Sequence, residues 1–143
     1  MAAYRKVLGD HDTGDGLKAV FNARYPSVRF DLSSQIPGLG QMASDGQILR
    51  KGRELNYHVI TDDKHYQSAE KYPCDKRQWA DRTLVLMPRA NMEEMAAAIM
   101  TAWRRVSWAK VRTSALLVVH ATVAVLHDCG PDGSYVEVAR YQL

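Results

Sequence analysis

The chain has 143 residues, 46% hydrophobic and 24% charged, which allows one domain with a buried core and argues against disordered, fibrous or disulfide-rich classes. Its formal net charge of +3 is too small to imply nucleic acid by itself, because phosphate binding needs clustered cations. No apolar stretch reaches the ~18 residues of a membrane span, and Met1-Ala-Ala-Tyr-Arg-Lys lacks the apolar core of a signal peptide, so a soluble protein, cytoplasmic at synthesis, is expected.

Gly9-Asp-His-Asp-Thr-Gly-Asp-Gly16 is a polar loop. Its aspartates do not make a calcium loop, since Gly14 and Phe21 stand where ligands are needed. Asp15 reads as an N-cap for a helix carrying Leu17, Val20, Phe21 and Tyr25, stopped by Pro26. Val28, Phe30 and Leu32 alternate with Arg29 and Asp31, as in a half-exposed strand. Ser33 to Gly40 is a loop, and its glycines lack the Gly-Lys-Ser/Thr of a phosphate cradle.

Arg50-Lys51-Gly52-Arg53 reads as a basic turn, leading into a strand over Glu54–Thr61. Asp62 to Ala80 is a long charged loop punctuated by Tyr66, Tyr72 and Trp79, of the kind that is functional or ordered by a partner. Arg82–Met87 is a third strand. Asn91-Met-Glu-Glu94 is a capping box, and the helix it opens runs to about Val106 with Met92, Met95, Ala96, Ile99, Trp103 and Val106 on one stripe. Ser114 to His127 is the longest apolar run and reads as one central strand with both faces covered. The turn Asp128-Cys-Gly-Pro-Asp-Gly133 then joins it to a last strand, Ser134–Leu143. The element order α-β-β-β-α-β-β predicts a single α+β domain over residues 1–143: a mixed or mainly antiparallel sheet, a C-terminal β-hairpin and two packed helices on one face or end.

Few residues offer chemistry. His120 and Thr122 share one strand face in this reading. His-x-Thr pairs on facing strands mark the 2H phosphoesterases, and Val119-His-Ala-Thr-Val123 resembles one such copy. The other copy would be His58-Val-Ile-Thr61, which has an extra residue that turns Thr61 to the opposite face. A small phosphodiesterase or other hydrolase centred on His120, Thr122 and His58 is therefore the alternative reading, and a core histidine the simpler one. His58, His65, His120 and His127 have no metal-ligand spacing, and no cofactor motif occurs, so neither metal nor cofactor is expected. Cys74 and Cys129 permit one disulfide without requiring it.

The helix before Tyr25, the strands after it, Arg82-Thr-Leu-Val-Leu-Met-Pro88 running into the Asn91 helix, and the closing Tyr135-Val-Glu-Val-Ala-Arg-Tyr141 follow an element order that resembles the tail-terminator and neck proteins of tailed bacteriophages. The resemblance implies an α+β protein of the virion that forms rings at the head–tail junction. The expected function is thus a small structural or assembly protein acting by self-association and contacts with other assembly proteins, with the hydrolase as the alternative. Its expected interface is Arg50, Lys51, Arg53, Tyr66, Tyr72 and Trp79, because aromatics framed by charges suit interface centres and rims.

Overall fold

The computed structural model describes residues 5–9, 11–40, 43–61, 83–86, 91–106, 116–120 and 122–143. The strands are β1 (Arg5–Gly9), β2 (Val28–Leu32), β3 (His58–Thr61), β4 (Thr83–Leu86), β5 (Leu116–Val119), β6 (Val123–Cys129) and β7 (Tyr135–Gln142), and the helices are α1 (His11–Arg24), α2 (Asp45–Glu54) and α3 (Met92–Arg105). All seven strands join one sheet in the order β2-β1-β3-β4-β5-β6-β7. The first five are parallel to one another, and β6 and β7 add antiparallel at the end. The α+β class, the mixed sheet and the C-terminal hairpin agree with the sequence reading.

Several details differ from it. A strand, β1, precedes the first helix. Its short Val7-Leu8 core is buried on both faces, as an inner strand of a covered sheet must be. The first helix begins at His11 and not after Asp15. The basic stretch Arg50–Arg53 is the C-terminal half of α2, and the strand expected from Glu54 starts at His58. Ser44 caps α2 by accepting from Gln47 N at 3.3 Å while Gln47 Oε1 accepts from Ser44 N at 2.8 Å, which satisfies two donors at the helix start.

The end of α2 explains why the strand starts late. Tyr57 N donates to Gly52 O at 2.7 Å and Asn56 N to Arg53 O at 3.2 Å, with Asn56 in the left-handed region at φ +62°. This pair of bonds closes a helix and reverses the chain, and Asn is the residue after Gly that best tolerates it. Tyr57 then buries its ring and hands the chain directly to β3.

The run Ser114–His127 is likewise not one strand. The chain reverses between Val119 and Val123, so β5 and β6 pair antiparallel with Val119 opposite Ala124 and Leu116 opposite His127. His120 N donates to Val123 O at 2.8 Å within this turn. The reversal regroups the faces: Leu117, Val119, Ala124 and Leu126 lie together, with Val118 on the other side.

Because successive residues of a strand point to opposite faces, the sheet has two cores. One buries Val7, Phe30, Ile60, Leu117, Val119 and Leu126 under α1 and α3. Phe21 lies at its centre, 5.3 Å from the Phe30 ring and 6.5 Å from Trp103, distances at which aromatic pairs attract beyond their buried area. The other core buries Leu8, Val59, Leu116 and Val118 under α2 and the Ile36–Leu39 segment. Helices therefore cover both faces, not one.

Candidate functional site

His58, His120 and Thr122 do not converge. His58 begins β3, whereas His120 follows the end of β5, two strands away. Ile60, Leu84 and Leu117 are level across β3, β4 and β5, so His58 lies two residues before that level and His120 three after it. At ~3.3 Å per residue and ~4.8 Å per strand, the separation is roughly 16 Å along the strands and 10 Å across them. The His58 ring sits 6.1 Å from Trp103. Thr122 is exposed at the turn, where its carbonyl accepts from Leu143 N at 3.0 Å. No hydrolytic pair forms from these residues.

Arg50, Lys51 and Arg53 are carried on α2, with Arg50 exposed and Lys51 Nζ 3.5 Å from Glu54 Oε2. Tyr66, Tyr72 and Trp79 of the expected interface lie outside the described residues. Cys129 is disulfide-bonded, so it offers no thiol nucleophile, and Cys74 lies outside the described residues. Among the described residues no group of His, Cys, Asp and Glu could hold a metal ion, and no helix is long and apolar enough to cross a membrane.

Two places on the sheet have functional geometry. The first is the carboxyl edge of the parallel strands, where the order β2-β1-β3 reverses direction between β1 and β3. In open sheets of this order, ligands bind outside the strand ends at that reversal. The ends here are Gly9 and Thr61, both buried.

The second is β7, the outer strand of the sheet among the described residues. Val136 and Val138 are 48% and 42% exposed there, and with Met92 they are the exposed large apolar side chains of the described residues. Leu126 pairs with Ala139 and His127 with Glu137, which leaves Val138 as a bulge. The bulge brings Glu137 and Arg140 onto one side, where Arg140 Nε and Nη2 donate to Glu137 at 2.8 and 2.9 Å. That fork holds the Glu137 carboxyl below its usual range and raises the Arg140 guanidinium.

Behind this edge, burial pushes the His127 imidazole down, against smaller opposing effects of hydrogen bonding and of Glu137. Burial also raises the Tyr135 phenol to about 12. The sequence reading did not single out Val136, Glu137, Val138 or Arg140. The available signal was an alternating Val-Glu-Val in the Tyr135–Gln142 segment. No family model, curated protein or solved structure matches the chain.

Proposed function

We propose that this protein is a small structural or assembly component that acts through contacts with copies of itself and with partner proteins. The observation that supports this reading is β7, an eight-residue edge strand carrying two exposed valines. An exposed strand edge offers unpaired backbone donors and acceptors to another chain, and apolar side chains along it favour burial. The opposite edge is less suited. Strand β2 is five residues long and places Arg29 and Asp31 in an ion pair at 2.8 Å. A place at a virion head–tail junction is the finer form of this reading and rests on element order alone. Static light scattering over a concentration series tests the general form: a mass above one chain is expected, and a monomer at every concentration, with no partner added, would overturn self-association.

A second reading is favoured by the strand order. The switch between β1 and β3 is where a sheet of this topology places a ligand. Outside the described residues, the sequence continues from those two ends into Asp10 and into Asp62-Asp63, residue types that suit a divalent cation. A thermal shift with Mg2+ or Mn2+, lost in Asp62→Asn, would favour this reading, and no shift with either ion would count against it.

A further inference from the structure

We propose that two copies of this chain pair their β7 strands antiparallel about a two-fold axis between Val138 and Ala139, so that Glu137 of each copy meets Arg140 of the other. The inference rests on the assembly reading above and names its mode.

The argument comes from the register of β7 on β6. Cross-strand partners share a face. Tyr135, Glu137, Arg140 and Gln142 pair with Cys129, His127, Val125 and Val123, which alternate along β6 and so point to one side. Val136, Ala139 and Tyr141 pair with Asp128, Leu126 and Ala124, which point to the other. An unbulged strand would place Glu137 and Arg140 on opposite sides. The extra residue at Val138 cancels that difference.

The pattern of faces is consequently symmetric about the Val138–Ala139 bond. Tyr135 matches Gln142, Val136 matches Tyr141, and Glu137 matches Arg140. An antiparallel partner reads the same strand in reverse. In this register each of these three pairs therefore brings together side chains from the same side of the sheet.

The chemistry of the pairs agrees with the geometry. Glu137 faces the second copy's Arg140 twice, an opposite-charge pair related by the axis. Val136 faces the second copy's Tyr141, a β-branched residue against an aromatic, and Val138 lies beside the second copy's Ala139. Pairs of these kinds stabilise neighbouring strands, and like charges in the same places destabilise them. Val136 and Val138 are the two exposed large apolar residues of β7, and this register gives each an apolar neighbour. A bulge and charges ordinarily blunt an edge against indiscriminate pairing. Here they exclude other registers and leave this one complementary. The contact is isologous and closes after two copies, so it yields a dimer and not a fibre.

The experiment measures the dissociation constant of the full chain by sedimentation equilibrium for the parent, Glu137→Arg, Arg140→Glu and the double exchange. Glu137 and Arg140 side chains are 42% and 62% exposed, so the variants should fold, and unfolding midpoints verify it. Each single variant puts like charges at two sites and should weaken the dimer roughly two- to thirty-fold, and the double exchange should restore it towards the parent. As an independent measure, amide exchange over Val136–Gln142 should slow as protein concentration rises. An oligomer indifferent to the single variants, or one the double exchange does not rescue, would overturn this pairing while leaving the assembly reading in place. A parent that stays monomeric would overturn this pairing and self-association together, leaving only contacts with partner proteins.

Discussion

Truncating Ile99 should destabilise the fold more than any surface change on the same helix. Ile99 is fully buried and belongs to the core formed with Phe21, Leu117 and Val119. Ile99→Val removes one methyl group and should cost about 0.5–1.5 kcal/mol. Ile99→Ala also opens a cavity between α3 and the sheet, and should cost about 2–5 kcal/mol. For a chain of this size, a loss of about 3 kcal/mol corresponds to a fall in Tm of roughly 6–12 °C. Urea titration, followed by far-UV circular dichroism, gives both free energies if the slope stays constant. The graded series matters more than either value. Near-zero costs for both variants would show that the α3 stripe does not face the sheet, and equal costs would show that cavity formation does not set the penalty.

Four further outcomes follow from other contacts. Asn91 Oδ1 accepts from Glu94 N at 2.8 Å, so Asn91→Ala should cost about 1 kcal/mol in the same titration and Asn91→Gly only a few tenths. The left-handed Asn56 should tolerate Gly, whereas Asn56→Ala should lower stability by about 1–2 kcal/mol. The His127 pKa is lowered in the folded state, so the unfolded chain binds this proton more readily. Stability from this group is therefore complete above pH 6.5 and lost as pH falls through the folded value; urea midpoints from pH 7 to 5 should decline, and less so in His127→Gln. Reducing the Cys129 disulfide should cost about 2–4 kcal/mol, read as a lower urea midpoint with reductant that is absent in Cys129→Ser.

What could be read from the sequence depended on whether a local signal had a single meaning. The hairpin turn was legible because its chemistry is specific: Gly133 takes φ +83° and donates to Gly130 O at 3.1 Å, while Asp132 accepts from Ser134 N at 3.1 Å. The Asn91 cap was legible for the same reason. The break between Val119 and Val123 was not, because it contains neither Gly nor Pro and interrupts apolar residues that suit one long strand equally well. Helix α2 was missed because its buried apolar side chains are Ile48 and Leu49 alone, too few for a periodic stripe, although Ser44-x-x-Gln47 was a readable capping signal. Strand β1 has only Val7 and Leu8 between charged and polar neighbours. As for the candidate site, strand neighbours fix both the switch at β1 and β3 and the outer place of β7, and neighbour order is a long-range property that no local pattern contains.

The arrangement of this sheet also orders the chain in time. Pairing β1 with β3 brings Val7 beside His58, whereas β5, β6 and β7 all lie within residues 116–142 and meet through tight turns. Short-range contacts of the latter kind form quickly, and parallel pairings wait for long loops to close. During synthesis, however, the quick partner arrives last. Until Tyr135–Gln142 has left the ribosome, β6 ends the sheet as an open edge with Ala124, Val125 and Leu126 along it. A released chain truncated before Tyr135 should therefore aggregate, while the chain extending through Leu143 should not. Solubility of the two in a purified translation system measures this directly, and equal solubility would show that β6 needs no cover.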